Sequence, residues 1–427
     1  MWTRLAAIAA LAIAPCAYAQ VPSSSDLSTH EPLTLDAAVD RVARTHPDLR
    51  LPTLQRDAAQ ARLDAAALAP APSVGVEIEN ILGTGDSRGA RGAEATVSLA
   101  GVLERGGKLD ARRALAQANL DALAPQREIN RLDLLAETAR RYLAITAAAA
   151  QQAIALQDIE QRRRAVAAAR LRLQAGASPA STLLTAQAAL AQSELDRDRA
   201  VQAGHAARIA LAALWNGREA DFQTISGDPL WLPALQPLPA LAQLLDTTPE
   251  LALIATAERV RDAQLQLARS QQRSDVSWQL GVRHARDSGD NSLVVGLIMP
   301  IGAARRAAPE IRAAQAELAM SAVEREARGR QLYATLAEAH GRYQTARLAV
   351  QRMDSDVLPQ LKQAEQAAEQ AWRAGAISYL EWAQLQAMRI EARQGQLDAA
   401  LAAQAALIEL QRLSGQPLLA IDAEGDA

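Results

Sequence analysis

The sequence repeats one series of landmarks in its two halves. Gly176 and Gly375, each inside an Ala-Gly-Ala, lie 199 residues apart in a chain of 427 residues. The other landmarks keep the same order and nearly the same spacing: HPDLR (46–50) returns as TPELA (248–252), AQANL (116–120) as AQAEL (314–318), and LWNG (214–217) as RLSG (412–415). A duplicated sequence predicts a duplicated structure.

Each half predicts the same succession of elements. A helix (about 34–69, then about 238–272) is followed by a β-hairpin, a very long helix that ends at the Ala-Gly-Ala, and a helix that runs back. We therefore expect a first repeat over 20–215 (hairpin 73–102, tip near 176) and a second over 241–415 (hairpin 275–300, tip near 375). Residues 216–240, rich in Pro and Gly, form the linker between them, and 416–427 are expected to be a C-terminal tail.

The long helices have coiled-coil periodicity. The residues spaced by three or four positions are apolar or small except for Gln152. They are Leu135, Ala139, Tyr142, Ile145, Ala149, Gln152, Leu156 and Ile159, and again Tyr343, Ala346, Val350, Met353 and Val357. At about 1.5 Å per residue, 126–175 extends roughly 75 Å and 310–375 roughly 100 Å, with local kinks expected at Pro125 and Pro359. Such helices must pack side by side, within the chain or between chains.

The Ala-Gly-Ala sites predict hairpin tips. Glycine adopts the left-handed conformation at a helix end without steric cost, and Ser178 or Ser378 can cap the returning helix.

Four short segments alternate between apolar and polar residues. They are 74–80, 94–101, 276–283 and 293–299, joined in pairs by loops rich in turn residues (83–91 and 287–290). Tilted strands of about 9–11 residues can cross a bilayer, but soluble hairpins packed on helices have the same pattern. If these strands span lipid, the sheet must close, and four strands are too few. Several copies of the chain would then have to share one barrel.

The N-terminus has the pattern of a secretory signal peptide over 1–19. A short basic start, an apolar run over 5–14 and Ala17-Tyr18-Ala19 predict cleavage after Ala19. Cys16, the single cysteine, would be lost with this leader; lipidation of Cys16 is the alternative. The mature chain would hold no disulfide.

The remaining composition favours long, closely packed helices and gives no sign of catalysis. The chain is rich in alanine, contains one Phe (Phe222), and has a net charge of −3 without a basic, aromatic patch for nucleic acid. Its five histidines (His30, His46, His205, His284 and His340) are scattered, which predicts neither a metal site nor a cofactor. The loop GTGDSRG lacks the Gly-Lys-Ser/Thr of a phosphate loop and so predicts no phosphate site.

These residues resemble the TolC-type outer-membrane factors of Gram-negative efflux systems. The resemblance is carried by LTLDAAVDRVARTHPDLR (33–50), EATVSLAGVLERGGKLDARRALAQANLDA (94–122) and VLPQLKQAEQAAEQAWRAGAISYLEWAQLQ (357–386), in the family's order. LERGGK (103–108) and DNSLVVGLIMPI (290–301) are most similar to the branch that serves cobalt–zinc–cadmium pumps, although 302–306 depart from its usual sequence.

The resemblance implies a mainly α fold with a small β part, in which three chains form one barrel of 12 transmembrane strands and a helical tube that crosses the periplasm. It implies a homotrimer in outer-membrane lipid, a periplasmic adaptor, and an inner-membrane resistance-nodulation-division pump. It also implies that the GTGDSRG loop is extracellular and that the 416–427 tail lies in the periplasm. By the same resemblance, six tip residues would contact the adaptor: Gly176, Ala177, Ser178, Gly375, Ala376 and Ile377. Polar barrel residues would face the lumen: Glu77, Glu79, Glu94 and Arg283.

The family has acidic constriction rings after the second tip. Glu381 occupies the position of one ring, and Gln384 stands where the other acidic residue is expected. Three Glu381 carboxylates would attract cations; alternatively, Glu381 is an ordinary solvated helix residue. Two other functions remain open at the sequence level: a duct for drug or protein export, and a periplasmic coiled-coil scaffold without a pore.

Overall fold

The structure is a computed structural model that describes residues 32–85, 88–222 and 224–415. The expected signal peptide (1–19) with Cys16, His30, two residues of the 83–91 loop and the expected tail (416–427) lie outside these ranges.

The described residues form ten α-helices and four strands in two similar series. The first series contains α1 (Leu35–Thr45), α2 (Leu51–Ala66), β1 (Ser73–Glu79), β2 (Glu94–Leu103), α3 (Lys108–Asp121), α4 (Leu123–Gln174) and α5 (Ala180–Ala212). The second contains α6 (Leu238–Leu244), α7 (Pro249–Ser270), β3 (Val276–Ala285), β4 (Asn291–Ile298), α8 (Ala303–Arg352), α9 (Leu358–Arg373) and α10 (Tyr379–Ser414). The predicted class, mainly α with a small β part, is confirmed.

The opening helix of each repeat is divided, although the sequence predicted one continuous helix. His46 and Thr248 are both extended, with ψ of 128° and 147°. Each precedes a proline, Pro47 or Pro249, and proline disfavours helical geometry in the residue before it. A short 3-10 turn also lies between the two helices of each repeat, after the extended residue in the first (Pro47–Leu49) and before it in the second (Leu245–Thr247).

The long helices are also interrupted next to prolines. α3 ends and α4 begins around Ala122, three residues before Pro125. Between α8 and α9, Met353–Val357 form a π-helical segment just before Pro359. A proline cannot donate the hydrogen bond that continues the helix, so the backbone distorts in the preceding turn. α4 itself is continuous over 52 residues, roughly 78 Å.

Burial along α4 follows a heptad, but the predicted positions are only partly right. Tyr142, Ile145 and Ile159 are buried, whereas Ala149 and Leu156 are exposed. The buried series runs instead through positions seven residues apart: Ala148, Ala155, Arg162 and Ala169. Alanine occupies both faces of this helix, so its sequence does not identify which face packs.

The heptad of the second long helix shifts by one residue at the π segment. Before the segment the packed positions are Leu336, Tyr343 and Val350; after it they are Leu358, Glu365 and Trp372. Val357, predicted to lie in the packed series, is 41% exposed. The wider π turn accommodates one extra residue and so moves the packed face.

Each repeat has a core centred on one tyrosine. Tyr142 packs with α1, and its hydroxyl lies 2.8 Å from the Leu33 carbonyl oxygen and 2.6 Å from that of Ser226. Tyr343 packs with α6 and α10, and its hydroxyl donates a hydrogen bond of 2.5 Å to the Pro233 carbonyl. Burial raises the pKa of Tyr343 to about 12. Both tyrosines thereby fasten the linker between the repeats to the long helices.

The four strands form one antiparallel sheet in the order β1-β2-β3-β4. Val76 pairs with Val97, Val97 with Val282, and Val282 with Leu293. The hairpins of the two repeats thus lie side by side through β2 and β3. No helix among the described residues has the length and apolar character needed to traverse a bilayer.

Candidate functional site

One face of the sheet carries the charged side chains. Arg283 on β3 forms ion pairs of 2.9 Å with Glu79 on β1 and with Glu94 on β2, and its Nε donates to the Thr96 hydroxyl at 3.1 Å. Glu77 lies on the same face, two residues before Glu79 along β1. The four residues predicted to face a lumen therefore lie on one face of the sheet.

The opposite face is apolar and uncovered in the single chain. Its large side chains are between 42% and 73% exposed, namely Val74, Val76, Ile78, Val97, Leu99, Leu280, Val282, Leu293, Val295 and Leu297. A contiguous apolar surface of this kind indicates contact with lipid or with protein.

Both edges of the sheet are open. β1 pairs only with β2, and β4 only with β3, so each outer strand presents backbone groups that lack a neighbouring strand within the described chain. An open edge beside an apolar face is a template for pairing with another strand.

The first hairpin tip lies between α4 and α5. Gly176 is left-handed (φ +69°), and the Ala177 amide donates to the Arg172 carbonyl at 2.8 Å, which closes the end of α4. The prediction that Ser178 caps the returning helix is wrong. Pro179 occupies the N-cap position, and α5 begins without a side-chain cap.

The second tip, between α9 and α10, repeats this geometry. Gly375 is left-handed (φ +80°), and the Ala376 amide donates to the Ala371 carbonyl at 2.9 Å. Ser378 caps α10: its hydroxyl accepts from the Glu381 amide at 3.3 Å. The Ser378 amide donates to the Glu381 carboxylate at 2.7 Å, which completes a capping box.

Glu381 is exposed and remains ionised. The hydrogen bond from the Ser378 backbone amide, followed by that from its hydroxyl, lowers the pKa of Glu381 below the usual glutamate value. Gln384, one turn later, is also exposed.

An aromatic cluster supports the second tip, and the sequence analysis missed it. Trp372 and Trp382 stack with ring centroids 4.6 Å apart, and Tyr379 meets both rings edge-on, at 6.0 Å and 5.9 Å. Ile377 packs against this cluster. The signal available in the sequence was the concentration of three aromatic residues within 372–382 of a chain with only 3% aromatic residues.

A single arginine connects the two tips. The guanidinium of Arg172, in the last turn of α4, lies 5.3 Å from the Trp372 ring centre and donates to the Trp372 carbonyl. The end of the first long helix is thus fixed to the end of α9 in the second repeat.

Further from the tips, buried ion pairs lie between the two hairpins. Arg162 pairs with Asp158 at 3.2 Å and reaches Gln386 on α10 at 3.4 Å. Arg389 on α10 lies 2.8 Å from Glu365 on α9. Burial raises the pKa of Glu365 even though Arg389 opposes this shift. These contacts link α4, α9 and α10 through polar groups.

The combination of a small open sheet and two long helical hairpins is the fold of outer-membrane channel subunits. The structure of CusC, determined in a study of transmembrane channel formation, has the same fold, with a TM-score of 0.74. The two chains are 21% identical, and the match covers 90% of this chain and 92% of CusC. The fold is also shared with the outer membrane protein VceC of Vibrio cholerae, with a TM-score of 0.72, 16% identity, and coverage of 90% and 97%.

Sequence comparison leads to the same class. Residues 38–217 match the family model for outer membrane efflux proteins. The cobalt-zinc-cadmium resistance protein CzcC of Cupriavidus metallidurans is 26% identical over 370 residues, 85% of each chain. The nickel-cobalt-cadmium resistance protein NccC of Alcaligenes xylosoxydans xylosoxydans is 29% identical over 263 residues, 58% of this chain and 57% of that protein. The match to this family model covers 180 of the 427 residues, and it agrees with the resemblance to the TolC-type factors.

Proposed function

We propose that three copies of this chain form the outer-membrane exit duct of a tripartite resistance-nodulation-division efflux system that exports divalent heavy-metal cations. The open four-stranded sheet carries the proposal. A sheet with one exposed apolar face and two unpaired edges is not stable in lipid until its edges are joined. With three chains, β4 of each copy pairs with β1 of the next, and 12 strands close one barrel.

The polar face favours cations. When the sheet closes with its apolar face toward lipid, the carboxylates of Glu77, Glu79 and Glu94 line the lumen with one opposing charge, Arg283. Each chain then contributes a net charge of −2 there, which concentrates cations in a confined pore. The metal names of the relatives CzcC and NccC support the same cargo.

The hairpin tips are the proposed site of the adaptor and of the gate. Ala177 and Ala376 are exposed at the two turns, beside the left-handed glycines Gly176 and Gly375. Through the adaptor, the tips would communicate with the pump in the inner membrane. Glu381 is the proposed gate carboxylate, and Gln384 leaves the second ring of the family uncharged.

Cross-linking between strand edges tests the trimeric barrel. Val76 on β1 is replaced by cysteine together with one of Leu293, Val295 or Leu297 on β4, and outer membranes are oxidised. Within one chain β1 and β4 are three strand spacings apart, about 14 Å, too far for a disulfide. At least one pair should therefore yield linked species of up to three chains, whereas the single-cysteine variants should not.

Two results would overturn this proposal. One is that every cysteine pair gives only monomers; the other is that the chain is recovered from the soluble periplasm without detergent.

A further inference from the structure

The region where the sheet meets the helices is strongly basic. It comprises 104–113, 269–275 and 303–310, the segments that connect the strands to α3, α7 and α8. These segments contain eight arginine and lysine residues and four acidic residues. Their net charge is therefore +4, in a chain whose total is −3. At the opposite end of the sheet, 79–94 and 283–291 hold four basic and five acidic residues. The positive charge is thus concentrated at the helix end of the sheet, which we name the basic collar.

Most cations of the basic collar have no acidic partner. Two ion pairs, Lys108 with Asp275 and Arg112 with Glu104, occupy two cations and two carboxylates. Six exposed arginines form no ion pair with any described residue: Arg105, Arg113, Arg269, Arg273, Arg305 and Arg306.

Arg105 lies directly against the apolar face of the sheet. Arg105 comes two residues after Leu103, the last residue of β2, which is 58% exposed on that face. The Arg105 guanidinium lies 3.7 Å from the Met299 sulfur. Met299 and Ile301 are 53% and 83% exposed. An arginine at the border of an exposed apolar surface can extend its guanidinium into the polar layer of a bilayer while its methylenes stay with the apolar side chains.

Arg305 and Arg306 are placed against the local electrostatic preference. They lie in the first turn of α8, a helix of 50 residues whose first turn contains no acidic residue. The N-terminal end of a helix favours negative charge, so two cations there are unfavourable unless an anion is supplied from outside. Glu310 and Asp275 line the same cavity as Arg306, but neither Arg305 nor Arg306 forms an ion pair with a described carboxylate.

We infer that the basic collar binds the anionic headgroups of phospholipids in the membrane leaflet that faces the periplasm. This inference rests on the proposed function, since it takes the apolar face of the sheet as the lipid-facing one. The usual interfacial anchors are Trp and Tyr, but Trp278 is the only aromatic residue in β1 to β4. Arginine–phosphate contacts take their place and fix the height of the barrel in the membrane.

The experiment uses the purified full-length protein in neutral detergent. Short-chain phosphatidylglycerol or phosphatidylcholine is added, and thermal unfolding is followed by circular dichroism. Phosphatidylglycerol should raise Tm, phosphatidylcholine should not, and high salt should abolish the difference.

Matched variants locate the binding. Replacing Arg105, Arg305 and Arg306 with Gln should weaken phosphatidylglycerol binding by up to about fivefold per arginine, whereas the Lys variants should retain most of it. The control replaces Arg127, Arg259 and Arg325 with Gln. These are exposed helix arginines without an ion pair among the described residues, and their replacement changes the charge equally while leaving the lipid effect intact.

Equal stabilisation by both lipids, or an unchanged phosphatidylglycerol effect in the collar variant, would overturn the inference. If the trimer forms and fractionates with outer membranes under either result, the proposed function stands without the basic collar. A soluble monomer would instead remove the proposed function itself. Stabilisation by inorganic phosphate equal to that by phosphatidylglycerol would show an anion site that is not specific for lipid, and would also contradict the inference.

Discussion

At the scale of single residues, Glu381 has two roles that can be separated. Its carboxylate completes the capping box with Ser378, and it lies in the first turn of α10, directly after the second tip. The lowered pKa means that the cap contributes to stability at neutral pH and loses this contribution as pH falls through the lowered value. The charge proposed for the gate persists over the same range.

We expect Glu381→Gln to reduce the preference of the pore for cations by at least about twofold in planar bilayers. Ser378→Ala is the control. It removes the capping hydroxyl but keeps the carboxylate, so selectivity at neutral pH should stay as in the wild type. Because one hydrogen bond to Glu381 is lost, this variant should lose selectivity at a higher pH than the wild type does. Unchanged selectivity in Glu381→Gln would exclude the residue from the gate.

At the scale of the elements, the π segment distinguishes the two repeats. α4 is continuous over 52 residues, whereas the corresponding helix of the second repeat is divided at Met353–Val357. The packed positions Tyr343 and Val350 are seven positions apart in the sequence, whereas Val350 and Leu358 are eight positions apart. The second repeat therefore carries one residue more than a regular heptad, and the π turn accommodates it.

Deleting Ser355 should convert the π segment into regular α-helix and leave the packed face in register. We expect Tm to change by less than about 3 °C. The matched deletion of Leu156, in the continuous part of α4, would move Arg162 and Ala169 out of the packed series and should lower Tm by about 5 °C or more. Thermal unfolding of the detergent-solubilised protein distinguishes the two. Equal destabilisation would contradict the interpretation of the π segment.

At the scale of the whole molecule, the two tips lie at one end of the folded structure and the sheet lies at the other. Arg172 fastens the first tip to the second, and the aromatic cluster of Trp372, Tyr379 and Trp382 supports the second tip from within. The turns can therefore act as a preformed docking surface, with little ordering needed when a partner binds.

Ala376→Trp should abolish export while the trimer still assembles, because a large ring at an exposed turn blocks close docking without disturbing the interior. Ala376 is preferable to Gly375, whose positive φ would add backbone strain to any substitution. Metal tolerance of cells should fall to that of cells lacking the protein. Ser288→Trp, in the β3–β4 loop at the opposite end, is the control and should retain export. Full tolerance with Ala376→Trp would remove the tip from the docking surface.

Most of the fold was predictable because its signals are local. The alternation in β1 to β4 fixed which side chains share a face, and the two Ala-Gly-Ala sites located the turns. The division of the opening helices could have been read from Pro47 and Pro249, because the effect of proline on the preceding residue is also local. The exposure of Ala149 and Leu156 could not have been predicted from the sequence, because an alanine-rich helix packs on whichever face its neighbours cover.

The sequence by itself determined the duplication, the tips, the two faces of each strand and the resemblance to outer membrane efflux proteins, since all of these depend on residues close together or on a repeated order. Only the tertiary structure decided the contacts between distant segments. These are the pairing of Arg283 with Glu79 and Glu94, the contact of Arg172 with Trp372, and the meeting of three separate segments in the basic collar. The physical reason is that a side chain finds such partners across 100 or more residues, through packing that no local pattern records.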